Sequence, residues 1–116
     1  MDIEKRIIVG PTDTDSYNIV HHPQYFVWIE EAVLEWLLST YGSLVNIGYE
    51  VEKFNCKFLS PGLLYDPLLL RLMPKGRSKT EQGETIKFQV KLMKDSTKAP
   101  VLEGMFFVNI RGTVNE

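Results

Sequence analysis

The chain has 116 residues, 44% of them hydrophobic, and a formal net charge of −2. That is the size of one domain with enough apolar side chains for a core, and the balanced charge argues against nucleic acid or an anionic membrane surface as partner. The single cysteine, Cys56, rules out an internal disulfide and suits a reducing cytoplasmic setting. No stretch approaches the roughly 20 apolar residues that span a bilayer, and Met1 to Arg6 lacks the apolar run of a signal peptide.

Ile3 to Val9 is β-branched and predicts a first strand, ended by Pro11. Thr12 to Asn18 is rich in hydroxyls, carboxylates and an amide, and predicts a loop. Pro23 fits the first turn of a helix, where its missing N–H costs nothing. Gln24 to Thr40 has no Gly or Pro and predicts one helix. Its apolar residues cover nearly the whole circumference, with Glu30, Glu31 and Glu35 on one side, so it should be buried on most faces. Gly42 is the expected stop.

The rest predicts strands: Tyr49 to Leu59, Leu68 to Met73, Glu84 to Lys94 and Val101 to Ile110. The alternation of Ile86, Phe88, Val90 and Leu92 against Lys87, Gln89 and Lys91 marks one packed and one wet face. Short connections make the strands antiparallel. Lys75-Gly76-Arg77-Ser78-Lys79, between two of them, is expected to be an exposed turn. Residues 1–116 form a single α+β domain on this reading, with a strongly curved antiparallel sheet around one helix.

The block Thr12-Asp13-Thr14-Asp15, then Ile19-Val20-His21-His22-Pro23-Gln24-Tyr25, Trp28 and Glu30, resembles the hotdog fold. Within it, the block is similar to the 4-hydroxybenzoyl-CoA thioesterase-like family. Gly76-Arg77-Ser78 resembles that family's turn before the penultimate strand, and Glu103-Gly104 the start of its last strand. The likeness spans roughly residues 3 to 110. Two departures stand out. Asn18 replaces the loop glycine, and Ala32-Val33 occupy a stretch where relatives often carry an Arg. Asn is the non-glycine residue that best tolerates positive φ.

The resemblance implies an enzyme that hydrolyses acyl-CoA thioesters. It places catalysis on Asp15, His22 and Tyr25. Asp15 would be the general base or the nucleophile. Backbone amides at the helix start, from His22 to Tyr25 but not Pro23, would hold the oxyanion. On local chemistry alone, an Asp in such a loop is usually a turn or capping residue, and Asp13 reads that way. Asn18, Glu30 and the basic stretch Lys75, Gly76, Arg77, Ser78 and Lys79 are the candidate substrate-binding positions, the last five for CoA phosphates. Helix residues such as Tyr25, Phe26 and Ile29, together with residues from a partner subunit, would enclose the acyl group. Coenzyme A enters only as part of the substrate, and no cofactor is expected.

His21 and His22 are adjacent and point apart, without a His-x-x-x-His or Glu-x-x-His spacing, so no metal is expected. Cys56 reads as a core residue. The resemblance further implies a homodimer or homotetramer with sites between subunits. Two alternatives remain open: hydrolysis of an acyl group carried by acyl carrier protein, and a non-catalytic acyl-CoA-binding hotdog module.

Overall fold

The computed structural model describes residues 1–112. Strand β1 spans Ile3–Ile8, helix α1 His22–Tyr41, and strands β2 to β5 span Gly48–Phe58, Pro67–Thr80, Gly83–Lys94 and Pro100–Arg111. All pairings are antiparallel, in the order β1-β3-β4-β5-β2. The expected alternation in β4 places Ile86, Phe88, Val90 and Leu92 at or near zero exposure beneath the helix. Leu68, Leu70 and Leu72 of β3 and Phe106, Val108 and Ile110 of β5 continue the same layer. The architecture is the expected hotdog: one helix against a curved five-stranded sheet.

The helix is one turn's edge longer than predicted, beginning at His22 with Pro23 in its first turn. Gly42 ends it in the left-handed region at φ 79°, its N–H donating to the Leu38 carbonyl. Its buried residues are Tyr25, Trp28, Ile29, Ala32, Val33, Trp36 and Leu37, an i, i+3, i+4 stripe. The expectation of burial on most faces is therefore met only in part. Val27 and Leu38 are exposed, and Phe26 and Leu34 half-buried. One sheet covers one stripe and the flanks beside it, and Val27 and Leu38 are left uncovered among the described residues. The charged arc runs between the sheet's two edges: Glu35 pairs with Lys5 of β1 at 3.3 Å, and Glu30 accepts from the Tyr49 hydroxyl of β2 at 3.2 Å.

The predicted turn at Lys75 to Lys79 is corrected. These residues belong to β3, paired with β4 up to Thr80↔Gly83, and Glu81-Gln82 form the turn. Pro74 and Gly76 misled the sequence reading. The last pairing of β1 with β3 is Ile3↔Leu72, so beyond it β3 is an edge strand, where a proline's missing N–H is tolerated. A bulge between Pro74 and Gly76 absorbs the irregularity.

Candidate active site

The loop after β1 is built from local hydrogen bonds. A short 3₁₀ turn over Pro11–Asp13 opens it, and the Asp13 carboxylate caps that turn by accepting the Gly10 N–H at 2.8 Å. Thr14 then bridges Val20, and the Asp15 N–H donates to the Ile19 carbonyl at 2.9 Å. A tight hairpin results, with Asp15 to Ile19 at its tip. Asn18 sits at φ 62°, the left-handed conformation that its place in the loop required. The Asp15 side chain folds back on its own loop. Oδ1 accepts the Tyr17 N–H at 2.8 Å and the Ile19 N–H at 3.3 Å. Oδ2 has no partner among the described residues, and the side chain stands on the solvent side.

The hairpin is tied to the helix at its base. The His21 N–H donates to the Asp13 carbonyl at 3.1 Å, and His21 is the residue that caps the helix. Among the backbone donors considered for the oxyanion, Gln24 N–H is already used by the His21 carbonyl at 3.0 Å, and Pro23 has none. The His22 N–H is left without an acceptor among the described residues.

Behind this N–H stands Tyr25, 2% exposed. Its hydroxyl accepts the Gly62 N–H at 2.9 Å. Burial raises its pKa, so it stays a neutral phenol that anchors the helix to the connection between β2 and β3. Gly62 admits this contact because it lacks a side chain. A Cβ there would lie 3.0 Å from Val20 Cγ2 and 3.3 Å from the Tyr25 hydroxyl. The His22 ring stacks on Phe58 at 4.1 Å between centroids, nearly parallel at 3°. Neither Gly62 nor Phe58 was singled out from sequence. Phe58 belongs to an alternating strand, and nothing local marks its ring as a partner of His22.

Two cavities flank the stack. One of about 280 Å³ lies on the hairpin side, lined by Ile19, Val20, Leu59, Ser60 and Pro61 as well as the stack. The other, about 550 Å³, opens on the helix and the edge strand β2, lined by Pro23, Phe26, Val27, Phe54 and Cys56. Cys56 is half-buried there, and burial raises its thiol pKa. Asp15 lines neither cavity; the residues that follow it do. Among the described residues no three His, Cys, Asp or Glu side chains come together as a metal-ligand group.

The other candidates lie elsewhere. Glu30 holds the Tyr49 hydroxyl, whose pKa is pushed far up by burial and by that carboxylate. Arg77 is engaged by Glu84 at 3.0 Å, donates to the Tyr41 hydroxyl at 2.8 Å and stands over Trp36. Burial alone would lower its pKa, but Glu84 and Tyr41 outweigh that and hold it above its ordinary range. Trp36 and Tyr41 belong to the far end of the helix. At about 1.5 Å per residue, Trp36 is roughly 20 Å along the axis from His22. Lys75 to Lys79 and Asp15 are thus at opposite ends of one protomer. Lys75 and Lys79 are exposed and without an ion-pair partner among the described residues.

The sequence matches a family model, the thioesterase superfamily, over residues 17–98. The chain belongs to the thioesterase superfamily. It is a thioester hydrolase. The matched span opens just past Asp15, so the carboxylate itself lies outside it. Solved structures share the superfamily chain's fold at low identity. A 1,4-dihydroxy-2-naphthoyl-CoA thioesterase from Synechocystis is 15% identical with a TM-score of 0.81, over 98% of this chain and 85% of that one. The gentisyl-coenzyme A thioesterase BH1999 is 21% identical, TM-score 0.80, over 95% and 89%. SAV2348 from Staphylococcus aureus, solved in complex with CoA, is 13% identical, TM-score 0.85, over 97% and 72%. No curated protein sequence matches this thioesterase significantly.

Proposed function

We propose that this thioesterase hydrolyses an acyl-CoA, with Asp15 as the reacting carboxylate and the His22 N–H as oxyanion donor. The observation that carries the reading is the unclaimed His22 N–H. It sits on a helix N-terminus, at the mouth of an apolar cavity, and is tied through Asp13 to the hairpin that bears Asp15. In the general-base form, Asp15 takes a proton from water as the water oxygen adds to the thioester carbonyl. The carbonyl oxygen becomes negative against the His22 N–H and the positive end of the helix dipole. The C–S bond then breaks, and the thiolate leaves with the proton that Asp15 returns. In the covalent form, the carboxylate adds to the carbonyl and expels the thiolate, and water cleaves the resulting anhydride. Coenzyme A as carrier is favoured because the similar structures named above are described with CoA or CoA esters.

The reading includes a homodimer across β2. That strand is a free edge of the sheet, and the uncovered apolar strip of the helix runs beside it. Leu34 and Leu38 follow Glu30 at i+4 and i+8, on the face that meets Tyr49 of β2. A second copy would pair the edge and cover the strip.

The test is steady-state turnover of a panel of acyl-CoA esters by the wild type and Asp15→Asn. The expected result is a loss of at least about a hundredfold in kcat for the variant, the size of a lost acid–base group. Wild-type turnover in Asp15→Asn refutes the assignment.

A further inference from the structure

Resting on the proposed pairing of Asp15 with the helix start, we infer that Lys94 is a positioning residue for this reaction. Its ammonium clamps the Pro61–Gly62 peptide, on which both the hairpin and the helix rest. Alternation in β4 sends Ile86, Phe88, Val90 and Leu92 to the packed face, and the next position in that register is Lys94. Its partner across the ladder, Leu68, is fully buried. A lysine there is drawn largely out of water, and the cost is offset only if the ammonium is paired and hydrogen-bonded. Lys94 has both kinds of partner. Its Nζ donates to the Pro61 carbonyl at 3.0 Å and forms an ion pair with Asp66 Oδ2, which also accepts the Leu63 N–H at 2.8 Å. Among the ion pairs of the described residues, this is the one in which neither side chain is more than 24% exposed.

The Pro61 carbonyl and the Gly62 N–H belong to one peptide. It is trans, so its C=O and N–H point in opposite directions. Lys94 holds the C=O from the sheet, and the Tyr25 hydroxyl holds the N–H from the helix at 2.9 Å. The plane of this peptide is thereby fixed from both sides. The Gly62 carbonyl takes the Val20 N–H at 2.9 Å, and the Asn18 carbonyl takes the Leu64 N–H at 3.0 Å. Residues 61–64 thus carry the return arm of the hairpin that bears Asp15 and, through Tyr25, the first turn of the helix. Among the described residues, the hydrogen bond from Lys94 is the only one that reaches residues 61–64 from strands β1 to β5.

Position is what this link controls. Asp15 and the helix start must meet the same thioester carbonyl, and a small displacement between them slows the reaction without loosening the substrate. A cation on the Pro61 carbonyl also polarises the peptide, which makes the Gly62 N–H a stronger donor to Tyr25. A methionine in place of Lys94 would keep the apolar stem and suit a packed face, yet would hold neither Pro61 nor Asp66. Filling the space does not require a lysine; holding the Pro61 carbonyl does.

The experiment has two arms. In the first, kcat and KM for octanoyl-CoA and benzoyl-CoA are measured with the wild type, Lys94→Met, Lys94→Arg and Lys98→Met, each checked for folding by circular dichroism. Lys94→Met is expected to lower kcat by about threefold to tenfold with KM within about twofold, as displacement of a reacting group demands. A guanidinium can donate to both Pro61 and Asp66, so Lys94→Arg is expected to recover most of that loss. Lys98 stands at the turn after β4 and donates to the Asp95 carbonyl instead, so Lys98→Met should match the wild type. Wild-type kcat in folded Lys94→Met, or an arginine variant no better than the methionine one, overturns the inference. The second arm does not depend on turnover. Pro61-Gly62 is the one Pro-Gly pair in the sequence, so proline labelled at its carbonyl carbon and glycine labelled at its nitrogen give a single linked amide signal by NMR. Lys94→Met is expected to move that signal, upfield for the amide proton as its bond to Tyr25 weakens, and Lys98→Met to leave it in place. An unmoved signal in Lys94→Met overturns the clamp, whatever the enzyme hydrolyses. A moved signal together with wild-type turnover in Asp15→Asn sinks the Asp15 assignment and leaves the clamp standing.

Discussion

At the scale of single residues, Asp15 combines two roles that its substitutions separate. Its Oδ1 holds the hairpin by accepting two backbone N–H groups, and its Oδ2 is unpartnered among the described residues. Asparagine keeps an acceptor at the same place and removes the charge and basicity. Alanine removes the acceptor as well. Asp15→Asn should therefore keep the wild-type melting temperature while losing activity, and Asp15→Ala should lose both, with a stability cost of about 1 kcal/mol. Thermal melts of the two variants check this; equal melting temperatures would show that the loop does not depend on Oδ1. Cys56 offers a pH prediction. Burial raises the thiol pKa, so the thiolate is scarcer than in a free cysteine at the same pH. Alkylation by iodoacetamide at pH 8 should be slower than for glutathione, and should keep rising with pH after glutathione has levelled off.

At the scale of elements, the decisive joint is between the start of α1 and the connection from β2 to β3. Val20 N–H donates to the Gly62 carbonyl at 2.9 Å, and Gly62 N–H donates to Tyr25 at 2.9 Å. One glycine thus ties the hairpin strand and the helix together. Tyr25→Phe leaves the Gly62 N–H buried without a partner, which should lower stability by about 1–3 kcal/mol. Chemical denaturation measures it. A far smaller loss of kcat than in Asp15→Asn is expected, because Tyr25 acts here by holding the helix start rather than by moving a proton. A loss as large as that of Asp15→Asn would place the hydroxyl in the chemistry instead.

At the scale of the whole molecule, one protomer puts its proposed reacting groups and its densest basic stretch at opposite ends of the helix. Lys75 and Lys79 can then serve CoA phosphates through an extended pantetheine arm, or in an assembly that brings the stretch of one subunit to the site of another. Replacing both with Ala should raise KM for a CoA ester more than for a short pantetheine thioester. Equal effects would remove the phosphate role. The assembly has its own test. Val27→Asp with Leu38→Asp puts charge on the uncovered helix strip; if the proposed dimer forms, sedimentation should show the wild type as dimer and this variant shifted toward monomer with the fold intact.

The sequence alone determined the elements, their antiparallel pairing and the single-helix architecture, because hydrophobic period and turn residues are local signals. It also identified Asn18 as a residue fit for positive φ, since that is a property of the residue itself. The extent of β3 was hidden, because a proline reads as a break unless the neighbouring strand is known to have ended. The position of Lys75 to Lys79 was hidden for the same reason. Gly62 and Phe58 were invisible because their importance lies in what approaches them across the fold: a phenol hydroxyl in one case and an imidazole ring in the other. Only the tertiary structure decided what surrounds the unclaimed His22 N–H, since the Phe58 ring that stacks on His22 comes from the end of β2. The same holds for Arg77, which the sequence offers as a free cation and the fold pairs with Glu84 and Tyr41.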